Sequence, residues 1–210
     1  MSRWFQILAD SFFVYRKRID SFKATQASPA SDVTLEEVDP SKDVDREAMA
    51  VLWARAYYDD AESALDVSRK QVQALWDRGD FCMGLRLDDK LVGMQWMAFG
   101  DGIASMQFAR CLSPYQAMVL AHDSYIAEEG RGRRLQIDLL DKAVEVSASR
   151  GAVWVYSFVG ARNFASVRNL MRSFDEYQLM THVKIDIPLT AVHRYPGFTE
   201  DGWLRCTTPR

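Results

Sequence analysis

Tyr125-Ile126-Ala127-Glu128-Glu129-Gly130-Arg131-Gly132-Arg133-Arg134-Leu135-Gln136 is the stretch on which the reading of this chain turns. It joins a strand-like run, Met118 to Ile126, to a strong helical pattern from about Arg133 to Arg150. The amides of a helix's first turn have no intrahelical partner and aim at any anion placed there. The glycines permit close approach, and Arg131, Arg133 and Arg134 add positive charge. A phosphate or pyrophosphate is the natural ligand of such a loop. A basic loop also serves as an ordinary solvated turn, and the stretch alone does not separate the two readings.

Downstream, Gly151 ends the helix, and Val153 to Val159 is a short apolar run of the kind buried on both faces of a sheet. Asn163 to Ser173 reads as another helix and Tyr177 to Ile187 as a last strand. The tail from Pro188 to Arg210 reads as irregular. Upstream, Phe81 to Leu87 and Leu91 to Phe99 flank a hairpin turn at Asp88-Asp89-Lys90, and Ala104 to Leu112 offers a further strand. Before them come a short strand at Val33 to Val38 and two helices, Asp43 to Tyr58 and about Asp66 to Asp77, the second ended by Gly79.

The first 23 residues read differently. Trp4, Leu8, Phe12, Tyr15, Ile19 and Phe22 recur at helical spacing, and five basic residues against two acidic ones give the segment a net charge of +3. The spacing predicts an amphipathic N-terminal helix over 1–23, packed on its own domain, on a second subunit in a homodimer, on a partner protein or on a membrane surface. Residues 24–32, small and polar, read as a linker. The domain proper then spans 33–187, followed by the tail, 188–210.

Composition bounds the function. The chain has 210 residues, 48% hydrophobic and 26% charged, with net charge −3. Such a chain buries a core without disulfides or metals. Its acidic balance and the lack of a recognised motif argue against nucleic acid as a partner. No apolar run reaches membrane-span length. Three scattered cysteines, Cys82, Cys111 and Cys206, indicate a reducing compartment, and with three scattered histidines they offer no metal-ligand spacing. The expected location is the cytoplasm, with the N-terminal helix leaving open association with the inner face of the membrane.

The strand, Arg131-Gly132 and the helix carrying Leu139-Leu140 resemble the cofactor motif of the GCN5-related N-acetyltransferase family. Gly151 with the apolar strand after it, and the helix of Asn163, Ser166 and Leu170 ending near Phe174, resemble the elements that follow in that family. The resemblance runs from Val33 to Ile187. It implies an α/β fold: a mixed, mostly antiparallel sheet of about six or seven strands flanked by helices. It also implies a sheet splayed between two neighbouring strands, with acetyl-CoA or another acyl-CoA in the cleft. The cofactor-binding residues it implies are Tyr125, Ile126, Ala127, Arg131, Gly132, Arg133, Arg134, Leu135, Gln136, Asn163 and Ser166. A backbone amide within Tyr125 to Ala127 would receive the thioester carbonyl.

The loop departs from the family pattern, Arg/Gln-x-x-Gly-x-Gly/Ala. Aligned from Arg131, it puts Arg134 and Gln136 at the two small-residue positions. Shifted, it keeps Gly132 as the first glycine but places Glu129 at the Arg/Gln position and Arg134 at the last. Phe174 is followed by Asp175, and Asn169 or Leu170 falls where many members carry a tyrosine acid. For the base, the candidates are His122 and Asp123 in the strand and Glu128 at its end. The activity implied is transfer of an acetyl or longer acyl group to a primary amine, a small molecule or an amino sugar. The alternative is a catalytically degenerate binding module docked through its N-terminal helix.

Overall fold

A computed structural model describes residues 6–21, 32–105, 117–187, 190–194 and 202–206. Nine strands form one sheet, in the order β2-β3-β4-β5-β6-β1-β7-β8, with β9 also paired to β7. The strands are β1 (Gln6–Arg18), β2 (Val33–Glu37), β3 (Phe81–Leu87), β4 (Lys90–Ala98), β5 (Met118–Ile126), β6 (Trp154–Gly160), β7 (Glu176–Ile187), β8 (Thr190–Arg194) and β9 (Leu204–Arg205). The helices are α1 (Asp43–Tyr57), α2 (Leu65–Asp77), α3 (Gly100–Ser105), α4 (Leu135–Ser149) and α5 (Phe164–Ser173). Every pairing is antiparallel except β5 with β6. Trp96 of β4 meets Trp53 of α1 and Trp76 of α2, which fixes those helices over one face. On the other face α4 buries Leu135, Leu139, Leu140, Ala143 and Val144, spaced as one helical stripe.

The N-terminal segment corrects the sequence reading. Residues 6–18 form no helix: β1 lies in the middle of the sheet, paired to β6 on one side and β7 on the other. The helical spacing masks a second pattern. Phe12-Phe13-Val14-Tyr15 is a continuous run of aromatic and β-branched residues, which favour strands. Val14 and Tyr15 are adjacent and both fully buried, which a two-sided sheet allows and an amphipathic helix does not. Of the basic residues that suggested a polar helix face, Arg16, Lys17 and Arg18 lie among the described residues, and each has a partner there. Arg16 pairs with Glu176 at 2.6 Å and lies over the Trp203 ring at 4.0 Å. Lys17 donates to the Ser173 carbonyl at 3.3 Å, and Arg18 pairs with Asp20. Residues 1–23 are therefore not a separate docking arm, at least over 6–21. The linker expected at 24–32 lies outside the described residues apart from Asp32.

Other elements fall close to expectation. β3 and β4 join through Asp88 and Asp89, both at positive φ, the two-residue geometry that suits the strand twist. The strand expected from Ala104 begins instead within α3, and the rest of it lies outside the described residues. The tail holds β8 and β9 where irregular chain was expected. Together with β1 these raise the strand count above six or seven.

Candidate functional site

The sheet opens at its one parallel pair. β5 and β6 pair only over Met118–Ala121 with Trp154–Ser157, and beyond Ala121 and Ser157 the two strands run on without a shared ladder. On its other edge β5 carries a bulge. Met94 faces Tyr125, but Trp96 faces His122, so Asp123 and Ser124 together oppose Gln95. Asp123 takes φ 44°, a conformation costly for a side chain other than glycine. The bulge turns this carboxylate to the opening.

A cavity of about 290 Å³ fills the space between the parted strands. Its lining takes Tyr57 and His122 from one face and Ile137, Leu140 and Leu170 from the other, so it runs from face to face between the strands. Asp123 accepts a hydrogen bond from the Tyr57 hydroxyl at 2.8 Å, and its other oxygen lies 2.8 Å from His122 Nδ1. His122 Nε2 lies 3.3 Å from Asp80 Oδ2, and Arg78 pairs with the same oxygen. Burial opposes a charge on His122, but the two carboxylates outweigh it and hold the imidazole above its ordinary value. Burial likewise opposes the Asp123 charge, yet the hydrogen bond from His122 leads a set of contacts that leave its carboxyl below the usual range. The result is a buried imidazole flanked by carboxylates, with Asp123 alone of these acids reaching the cavity.

A second, larger groove of about 590 Å³ adjoins this cavity and shares Ser124, Gln136, Asn163, Ser166 and Asn169 with it. Its walls are the β5–α4 loop and α5. Arg131, Arg134, Arg168 and Arg172 line it. Among the described residues, Arg134, Arg168 and Arg172 form no ion pair, whereas Arg46, Arg55, Arg69, Arg78, Arg86 and Arg150 all do. α5 itself contains no acidic residue. α4 starts with no side-chain cap; its Ile137 N–H is taken by the Arg134 carbonyl at 3.0 Å, which leaves the Leu135 and Gln136 amides for the groove. Gly132 at φ 80° and Arg134 at φ 61° turn the loop. These are the two small-residue positions of the shifted register, and Arg134 holds the second without being a glycine. Across the groove, Asn169 donates to Gln136 Oε1 at 2.9 Å, and Gln136 donates to Ser124 Oγ at 3.3 Å.

The structure sorts the expected site residues. Tyr125, Ile126, Arg131, Gly132, Arg134, Leu135, Gln136, Asn163 and Ser166 line the groove together. Ala127 does not: it is fully buried and its N–H is spent on the Val92 carbonyl at 2.8 Å. Backbone donors alternate between the two sides of a strand, which leaves the Ile126 N–H toward the opening. Arg133 turns away into a two-pronged contact with Asp32 at 2.9 Å for each bond. Asn163 caps α5, its side chain accepting from the Ser166 N–H at 3.2 Å, so the Asn-x-x-Ser pair serves the helix start as well as the groove. His122 is 4% exposed and both its ring nitrogens face carboxylates, so it is no free base. Glu128 is exposed, touches only Arg131 at 3.8 Å, and lines neither space. Sequence reasoning missed Tyr57, Arg78, Asp80 and Gln95. They lie on three other elements, and no spacing along the chain could have linked them. Among the described residues no cluster of three potential metal ligands occurs, and no helix is long and apolar enough to cross a membrane.

No family model matches the chain, and no curated protein sequence does. Solved structures do. A Drosophila protein aligns over 85% of this chain with a TM-score of 0.55 at 16% identity. The glucosamine N-acetyltransferase region of a fungal multi-domain β-N-acetylglucosaminidase aligns over 90%, with TM-score 0.55 and 14% identity. A GNAT-family acetyltransferase from Colwellia psychrerythraea aligns over 90%, with TM-score 0.52 and 12% identity. The chain spans 51%, 21% and 55% of those three chains, about half of each or less. At this level of identity the likeness establishes the fold, and that fold is the one GCN5-related N-acetyltransferases share.

Proposed function

We propose that the protein is an N-acyltransferase that moves an acetyl or longer acyl group from coenzyme A to a primary amine. One observation carries the reading: a groove lined by unpaired arginines opens into a cavity that ends on an ionised, accessible carboxylate. Arg134, Arg168 and Arg172, with the free amides at the start of α4, suit the diphosphate of the donor. The shared residues between groove and cavity suit its extended arm, which brings the thioester to the parted strands. There the Ile126 N–H can hold the carbonyl oxygen as it gains charge.

Asp123 receives the amine. Its carboxylate, fixed by Tyr57 and His122, draws an ammonium group into the cavity; that group first gives one proton to water, and Asp123 relays the second, released as the neutral nitrogen attacks, to the leaving sulfur. The carbon–nitrogen bond forms, the carbon–sulfur bond breaks, and the amine proton leaves with the thiol. The Gln95 amide donates to the His122 and Trp96 carbonyls, and its oxygen lacks a partner among the described residues, which adds a second acceptor for amine hydrogens. The cavity's size suits a small-molecule amine or one amino group of a sugar. Such a reaction draws on a cytoplasmic donor pool. The binding-module alternative loses support, because the segment that would have docked it lies inside the sheet.

Calorimetry with acetyl-CoA and with a long-chain acyl-CoA tests the reading. Binding with a stoichiometry of one, weakened by added salt, is the expected result. A folded protein that binds neither would remove it.

A further inference from the structure

Asp80 stands just ahead of β3, and its side chain is completely buried. Its Oδ2 accepts from Arg78 Nε at 3.1 Å and lies 3.3 Å from His122 Nε2, within ion-pair reach but outside hydrogen-bond geometry. Its Oδ1 has no hydrogen-bond partner. A buried carboxylate left half-satisfied is costly, and each such group in a native protein calls for a reason. The fold also makes room for it. A Cβ on Gly102, in α3, would collide with Asp80 Oδ1.

Above Asp80 sits His122, and above His122 sits Asp123, on a bulge whose backbone is itself strained. An imidazole placed so can donate from Nδ1 to Asp123 while its Nε2 faces the Asp80 carboxylate. We propose that Asp80 is a positioning residue: it seats His122 from beneath, so that the ring clamps the Asp123 carboxylate against the Tyr57 hydroxyl at the mouth of the cavity. The role in turnover rests on the acyl-transfer reading of that cavity. Arg78 steadies Asp80 from the α2–β3 turn. Among the described residues, the titratable and charged groups around the ring are Asp80, Asp123, Arg78 behind the first and Tyr57 behind the second, while α3 contributes Gly102. The device spans four elements and places a single carboxylate.

Proton NMR of the histidine rings across pH tests this, with the His122 signal assigned by its loss in His122→Gln. In the unaltered protein the midpoint of the ring should lie above its ordinary 6.5. In Asp80→Asn the midpoint should fall by about one to three pH units. With a working donor, kcat should fall about tenfold or more while the donor's KM holds, and the pH–rate profile should move with the histidine. Gly102→Ala changes no charge but crowds Asp80, and should act in the same direction less strongly. A His122 midpoint at the ordinary value in the unaltered protein would overturn the proposal, as would one unmoved by Asp80→Asn in a folded variant. Should Asp80→Asn fail to fold, the unaltered protein and Gly102→Ala decide. If no acyl donor turns over, the acyl-transfer reading falls, and the histidine titration still judges the clamp.

Discussion

The two halves of the sheet are built by opposite means. From β2 to β5 each strand pairs with its neighbour in the strand sequence, and the β3–β4 turn takes two residues. From β6 to β8 the sheet is assembled around β1, whose Arg16 reaches Glu176 across 160 positions of chain. The site lies on the seam. β5 belongs to the local half and β6 to the assembled half, and their ladder stops after four pairs. The contrast teaches that the cleft is what remains where two differently built half-sheets meet and then part.

Removing β1 breaks the comparison most severely. Deletion of residues 6–18 takes out a central strand and leaves β6 and β7 each with one edge unpaired, so circular dichroism should show loss of the native state, not the release of a surface arm. A variant that kept a cooperative thermal transition would mean that β1 is peripheral after all.

Within the site, Asp123→Asn should cost about 10²–10⁴ in kcat, with the fold intact and donor binding within about twofold of the parent. Equal losses in donor affinity and turnover would place this residue in the donor groove instead. Replacing Arg168 and Arg172 together by alanine should have the converse profile. Donor binding should weaken by about 10- to 100-fold, and the deficit should shrink as salt rises. These two measurements separate the halves chemically, because one carboxylate stands at the β5 side and the two arginines belong to the helix after β6.

Arg134→Gly should act in two directions. Its positive φ costs a non-glycine residue about 1–2 kcal/mol, so glycine should stabilise the loop by about 1 kcal/mol while removing a cation from the groove. The test is a melting temperature that rises by about 2–4 °C together with weaker donor binding. The smallest effect is at Glu129, which ties the seam's loop to the local half. Its own backbone N–H, then Arg55 and Lys90, hold its carboxyl down from 4.5 to about 2. A pKa lowered in the folded state contributes stability above the unfolded value and loses it as pH falls through the folded one. Acid titration of stability should therefore lose a small contribution between about pH 4.5 and 2, absent in Glu129→Gln.

The local half was legible because its signals are local. The two aspartates of the β3–β4 turn and the apolar stripe of α4 each declare their element within a short window. β1 was not legible, because helical spacing of Leu8, Phe12, Tyr15 and Ile19 coexists with the run Phe12 to Tyr15. Only the strands that flank it decide between the two periods. The groove was readable from Arg131, Gly132, Arg134 and Gln136, which are nearly contiguous. The clamp was not, since Tyr57, Asp80 and His122 come from α1, the approach to β3 and β5. His122 beside Asp123 was the one visible trace of it, and burial turned the histidine from a candidate base into a support.

The place of β1 also sets a timetable. Synthesis delivers this strand well before both its partners, with Phe12, Phe13, Val14 and Tyr15 ready to pair. Until they emerge the nascent polypeptide carries an apolar segment without its sheet partners. Transiently exposed apolar strands of this kind are prone to aggregate until their partners arrive. The protein should therefore be sensitive to expression rate in a way its final stability does not foretell.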